Sequence, residues 1–260
     1  MAMRTLLLVL ALALAMPAQA APCRAQSAGT TTALVELYTS EGCDSCPPAD
    51  RWLSSLGARG YAPDRVVPIA LHVDYWDYIG WKDPYAKQAF SARQRKMASL
   101  ARAAMVYTPQ VLLQGRDFRH WAAGAFEQEV AKINAQPAKA RISLLLERPR
   151  SDAFEAEVAV ELLDARPQAD AALYLGAYEN KLVSEVKAGE NRGKSLAHDY
   201  VVLQWVGPIE FKDGKLIERR RLALLPKAVP EHSGVVAFVQ NRASGEVLQA
   251  LMLPACKHAG

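Results

Sequence analysis

The clearest two-residue period in the chain runs from 153 to 163. Phe154, Ala156, Val158, Val160 and Leu162 alternate with Glu155, Glu157, Ala159 and Glu161. That is the pattern of a strand with one face buried and the other in water. Residues 31–39 (Thr-Thr-Ala-Leu-Val-Glu-Leu-Tyr-Thr) are rich in β-branched and aromatic side chains, 65–73 is an apolar run, and both predict strands. Val111-Leu112-Leu113 predicts another. Between these runs the pattern shifts to a helical period. One helix is expected from about Cys43 through Ala49, Trp52, Leu53 and Leu56, stopping at Gly57 to Gly60. Asp83-Pro84 offers an N-cap acid and a first-turn proline for a second, with Phe90, Met97, Ala101 and Ala104 on one stripe. Ala125 to Asn134 predicts a third.

A strand–helix–strand unit implies parallel pairing, and a glycine turn after 111–114 implies an antiparallel hairpin. The first part of the chain, 31–137, therefore predicts an α/β domain: a mixed sheet with helices on both faces. After Gln136-Pro137 the pattern changes to strands only, at 141–147, 153–163, 171–178, 200–206, 215–225, 235–240 and 246–253. Residues 138–256 then predict an all-β, sandwich-like domain. Residues 21–30 are left as an N-terminal arm.

The extreme N-terminus reads as an export signal. Arg4 precedes an apolar run from Thr5 to Met16, and Ala18-Gln19-Ala20 supplies a small-residue cleavage pattern. Residues 1–20 are assigned to that signal. The rest is expected to be soluble, without a membrane span, and periplasmic or secreted. The net charge of +4 over 260 residues is mild. The one basic cluster, Arg219-Arg220-Arg221, sits in a strand segment and reads as a solvated edge, so no nucleic-acid partner is expected.

Export changes the meaning of the cysteines, since disulfides persist outside the cytoplasm. All four lie beyond the signal. The simplest pairing is Cys43 with Cys46 and Cys23 with Cys256, one of three connectivities. Cys23 and Cys256 left unpaired is the alternative. A thiol is nucleophilic as thiolate, and a helix N-terminus favours that form. Cys43 is expected there, uncovered and ready to attack, with Cys46 to resolve the mixed disulfide. Asp44 between them disfavours the thiolate and offsets part of the helix effect. Two other readings of the pair stay open. One is a structural disulfide without turnover. The other is a metal ligand pair: zinc wants four ligands and only His72 is an obvious third, whereas cuprous copper needs only two thiolates. The reading adopted assigns no metal and no cofactor.

Val35-Glu36-Leu37-Tyr38, a turn, and Cys43-Asp44-Ser45-Cys46-Pro47 resemble the first strand and active-site helix of the thioredoxin superfamily, over about residues 31–136. Thr108-Pro109 ahead of 111–114 resembles that superfamily's cis-proline, which sits against the cysteine pair. The resemblance implies a thioredoxin-like fold for 31–137, with Pro109 and Thr108 holding a client strand. It also implies a buried acid for proton transfer to Cys46, a role that falls to Glu36 if the turn carries one extra residue. An exposed strand position is the other reading of Glu36. The longer runs, His72-Val73-Asp74-Tyr75-Trp76-Asp77, Gly80-Trp81-Lys82-Asp83-Pro84, Ala92-Arg93-Gln94 and Tyr107-Thr108-Pro109-Gln110 among them, resemble an exported family named only as a domain of unknown function, family 1223. That resemblance implies fold and compartment and brings no substrate.

Three more features bear on function. His72 ends the second strand, where ligands gather in open sheets. It either tunes the thiolate or is a packed core histidine. Tyr75, Trp76, Tyr78 and Trp81 form either a client platform or a satellite core. Gly189 to Lys194 is a polar loop, read either as a cover over the cysteine pair or as a plain surface connection. Ser195, His198 and Asp199 are too close together for a hydrolase triad. The expected function is thiol–disulfide exchange with protein clients by Cys43 and Cys46, aided by Pro109 and Glu36, with Thr108, Trp76, Tyr75 and His72 at the client surface. The alternative is a non-catalytic binding module.

Overall fold

The computed structural model describes residues 23–147, 152–163, 170–226 and 228–256. The expected export signal lies outside them. In chain order the elements are β1 (Cys23–Gln26), β2 (Ala33–Thr39), α1 (Pro47–Ser55), β3 (Val66–His72), α2 (Gln88–Leu100), β4 (Gln110–Leu113), β5 (Arg116–Asp117) and α3 (Ala125–Asn134). There follow β6 (Ala140–Leu146), β7 (Ala153–Leu162), β8 (Ala171–Glu179), β9 (Leu182–Glu185), β10 (Ser195–His198), β11 (Val201–Glu210), β12 (Lys215–Ala223), β13 (Ser233–Asn241) and β14 (Val247–Pro254).

These strands do not divide into the expected thioredoxin-like α/β domain and a separate all-β sandwich-like domain. One eight-stranded sheet, ordered β14-β13-β8-β11-β3-β2-β4-β5, draws on both halves of the chain. The join is parallel: β11 lies beside β3 with Val201 opposite Ala70. The Ala70 N–H donates to the Tyr200 carbonyl at 2.8 Å. The physical reason is hydrogen-bond accounting. β3 is buried along its whole length, so the edge not taken by β2 needs partners. β11 supplies them. The apolar runs of β8 and β13 carry the same message. Both are buried on both faces over most of their length, as central strands are, whereas β7 alternates as an outer layer does.

One face of the large sheet packs on α2 through Leu34, Tyr38, Ile69, Phe90, Met97, Val202 and Phe238. The opposite face is shared. Over β2, β3 and β11 it meets α1 and α3, with Trp52, Leu53 and Phe126 in the core. Over β8 and β13 it meets a four-stranded antiparallel sheet, ordered β1-β6-β7-β12. The N-terminal arm is thus partly a strand, since β1 pairs with β6. Cys23 and Cys256 form a disulfide that joins the start of β1 to the residues just after β14, 233 positions away. The arginine triplet lies on β12, where Arg219 pairs with Glu157 and Arg221 with Asp152. No helix among the described residues is long and apolar enough to cross a membrane.

Two helix starts differ from expectation. α1 begins at Pro47 with Cys46 as N-cap, which leaves Cys43 in the preceding turn. α2 begins at Gln88, after an extended Lys87. Asp83 is not its cap, because its carboxylate is used elsewhere.

Candidate functional site

β2 and β3 end side by side, Thr39 opposite His72. The chain after β2 turns through Ser40, Glu41 and Gly42 into the cysteine pair. The turn is close-packed at Gly42: a Cβ there would stand 3.1 Å from Trp76 Cβ and 3.3 Å from Ile79 Cδ1 and would press on both. Cys43 and Cys46 are joined as a disulfide. The Cys46 N–H donates to the Cys43 carbonyl at 3.3 Å, and the Cys46 carbonyl accepts from Ala49 and Asp50 as the helix begins. The Ser45 hydroxyl lies 3.4 Å from Cys43 Sγ. Asp44 points to water.

The expected uncovered sulfur is not found. Cys43 is 1 % exposed and Cys46 is fully buried. The cover comes from the loop after β9. The side-chain amide of Asn191 donates to the carbonyls of Glu41 and Cys43 at 2.8 and 2.9 Å. Glu190 accepts from the Asp44 N–H at 3.1 Å.

Beneath the turn lies a buried cluster of ionisable side chains that the sequence reading did not assemble. Asp50 follows Cys46 by one helical turn, which places both on one side of α1. Its Oδ2 accepts from the Thr39 hydroxyl at 3.1 Å. Burial pushes the Asp50 carboxyl above the ordinary carboxylate range, against the opposing pull of His198 and His72. His72 Nδ1 lies 2.7 Å from Asp83 Oδ2, both side chains fully buried. Burial alone would lower the His72 pKa, but the Asp83 carboxylate outweighs it and the imidazole is held above its ordinary value. Burial would likewise raise Asp83, and His72 outweighs it to leave that carboxyl low. Asp83 also accepts from the Glu41 and Tyr85 N–H groups at 2.8 and 2.9 Å. That double duty explains why it caps no helix.

The His198 ring stands 4.9 Å from that of His72, edge to face. Its Nε2 is 3.2 Å from Glu41 Oε1, within ion-pair range but without hydrogen-bond alignment. Glu41 Oε2 accepts from the Trp81 indole at 2.8 Å. Three nitrogens, His72 Nε2 and both of His198, have no hydrogen-bond partner among the described residues. No group of three or more His, Cys, Asp or Glu there is arranged to hold a metal ion. The signal for this cluster lay in the sequence as acids just before and after the cysteines, but its long-range members, Asp83 and His198, and the Asn191 that covers it, come from three different loops and strands.

Other predicted residues separate. Glu36 is not beside Cys46. It projects from the other face of β2, 0 % exposed, and is gripped by Arg93 through Nε to Oε2 at 2.6 Å and Nη2 to Oε1 at 3.0 Å. Alternation along β2 decides this: Thr39 faces α1, and Glu36, three residues earlier, faces α2. Thr108-Pro109 is a cis peptide. The Trp76 indole donates to the Thr108 hydroxyl at 2.7 Å, and Tyr75 donates to Gln94 Oε1 at 3.0 Å. Both rings are half-buried and engaged in packing, while Tyr78 is 82 % exposed. His72 is buried and reaches the disulfide region only through its neighbours.

A search of curated proteins gives no match to the sequence. Among solved structures, the fold is similar to that of a structural-genomics target from Agrobacterium tumefaciens, with a TM-score of 0.65 at 23 % identity, covering 90 % of this chain and 99 % of that one. It is also similar to HBP35 of Porphyromonas gingivalis, with a TM-score of 0.65 at 14 % identity, covering 87 % and 76 % respectively. At such identities the likeness concerns the fold alone. The family model described as protein of unknown function (DUF1223) matches residues 34–240, and the chain belongs to that family.

Proposed function

We propose that the Cys43–Cys46 disulfide exchanges with the thiols of protein clients in an exported compartment, periplasmic or secreted. The carrying observation is Asp50: a buried carboxyl one turn beyond Cys46, shifted toward its protonated form and faced by two imidazoles. A structural staple has no use for a proton donor, and burying an ionisable group costs stability unless something offsets it. The two disulfides support an extracytoplasmic setting. The local run from Val35 to Pro47, with Thr108-Pro109 ahead of β4, supports a local likeness to thioredoxin-superfamily exchange sites.

A client thiolate attacks Cys43 Sγ and forms a mixed disulfide, while the Cys43–Cys46 bond breaks. Cys46 leaves as thiolate and takes a proton from the Asp50 carboxyl. A second client thiolate attacks the client sulfur of the mixed disulfide and releases Cys43. The client dithiol is oxidised by two electrons and the cysteine pair is reduced by two. The same steps reversed reduce a client disulfide.

One observation favours a second reading, a fixed staple in a binding module: neither cysteine is open to solvent. The Cys46→Ala variant separates the two. Mixed with a disulfide-bearing peptide, its Cys43 thiolate should displace one peptide thiol and accumulate as a mixed disulfide visible by mass. A folded variant that forms no adduct through Cys43 contradicts exchange.

A further inference from the structure

β9 and β10 pair only with each other and enter neither large sheet. Their hairpin spans 182–198, and its loop is closed on itself by backbone bonds between Val186 and Lys194 and between Gly193 and Val186, at 3.0 and 2.8 Å. The two strands at its base, β8 and β11, are fixed in the large sheet, and each link to the hairpin has a residue in the left-handed region: Lys181 with φ 58° and Tyr200 with φ 59°. The stem is cross-tied. The Lys181 N–H donates to Asp199 at 2.9 Å and the Tyr200 N–H to Asn180 at 2.8 Å. Tilting the hairpin about its base breaks no ladder of either sheet; what holds it down is its buried inner face, Val186, Leu196 and His198, and the Ser184 hydroxyl donating to Tyr85 at 3.3 Å.

At the far end it carries the cover. Asn191 is fully buried, holds the Glu41 and Cys43 carbonyls, and is itself held by the Lys194 ammonium at 2.8 Å. The same hairpin brings His198 against Glu41 and His72. Access to the sulfur and completion of the buried cluster thus depend on one element.

We propose that the 182–198 hairpin is a flap, latched by Asn191 and Glu190, that must open before a reductant or client reaches Cys43, and that it thereby selects which partners react. Its role in selecting clients rests on the exchange reading above; its control of access to the sulfur does not. Closed, the flap keeps water and bulky thiols away. Open, it withdraws His198 from Glu41 and frees the two carbonyls that Asn191 holds.

The test compares reduction of the Cys43–Cys46 disulfide in the parent and in Asn191→Ala, using a small phosphine and a folded dithiol protein as separate reductants. Loss of two buried hydrogen bonds should raise the open population and speed reduction by the dithiol protein about tenfold. The phosphine should gain less, since it needs a smaller opening. Glu190→Ala, which removes the acceptor for the Asp44 N–H and leaves the Asn191 bonds in place, should move both rates the same way by a smaller factor and carries the test if Asn191→Ala does not fold. Unchanged rates in folded variants overturn the flap. Faster chemical reduction with no client turnover keeps the flap and removes the exchange reading. Turnover without any acceleration does the reverse.

Discussion

Asp50→Asn is expected to slow reduction of the Cys43–Cys46 pair by a thiol about 100-fold at a pH below the raised Asp50 pKa, the lower end of what general acid–base catalysis contributes. Asparagine can still accept from the Thr39 hydroxyl, which now donates to Asp50 at 3.1 Å. It holds no proton for the departing Cys46 thiolate. The pH profile gives the sign. In the parent the donor is present while Asp50 is protonated, so the rate per reductant thiolate falls as pH rises through its elevated pKa. The variant lacks that limb.

Stability should move the other way. Asp50 binds its proton more tightly in the folded state than at its ordinary value of 3.8. Between those two values the folded form holds more protons than the unfolded one, and stability falls as pH rises. The penalty persists at neutral pH. Asp50→Asn should therefore melt above the parent at pH 7 and level with it near about pH 3, where both states are protonated. A slower, more stable variant is the signature of a group kept for chemistry. A variant that loses stability at pH 7 and keeps its rate marks Asp50 as packing.

The second large effect lies on the opposite face of the sheet. Arg93→Ala is expected to destabilise the protein by about 3–5 kcal/mol, since it strips one partner from a buried ion pair. Arg93 holds both oxygens of Glu36 and donates through Nη1 to Gln240 Oε1 at 3.0 Å. Its guanidinium carbon stands 5.0 Å from the ring centroids of Tyr174 and Phe238. Truncation leaves the Glu36 carboxylate without its cation and opens a gap among the rings. The double variant Arg93→Met, Glu36→Gln removes both charges and fills the space, and should recover most of the loss. Urea midpoints with an unchanged slope read both values. Because Glu36 and the disulfide are on different faces, the double variant should exchange thiols at the parental rate.

Much of the element order was legible because the signals are local. β7 is written in its alternation, and α3 in an apolar stripe that buries Phe126 and Val130. The joining of the halves was not, since it depends on an edge: nothing near Val66 to His72 says which distant strand will satisfy its second row of N–H and C=O groups. The burial of β8 on both faces was visible in Ala171-Ala172-Leu173-Tyr174-Leu175, an apolar run without alternation, and points to a central strand rather than a sandwich layer. At the site, the two disulfides are the simplest of the three pairings the four cysteines allow. Asp83 looked like a helix cap because Asp-Pro is a strong local signal, yet His72 and the Glu41 N–H compete for the same carboxylate. Glu36 and Asp50 are both acids near the cysteines in sequence, and only strand alternation decides which one shares their face. Asn191 lies 148 residues from the carbonyl of Cys43 that it holds; its polar loop read as one of two things, a cover or a surface connection, and only the fold decides for the cover.

Thiol exchange requires the pair near α1 to be a working disulfide. Equilibrating the intact protein against glutathione buffers of stepped ratio, and trapping free thiols at Cys43 and Cys46, measures that directly. Exchange predicts a midpoint within the span of exchange proteins, roughly −120 to −270 mV. A pair that stays oxidised below about −300 mV behaves as a structural bond and contradicts it.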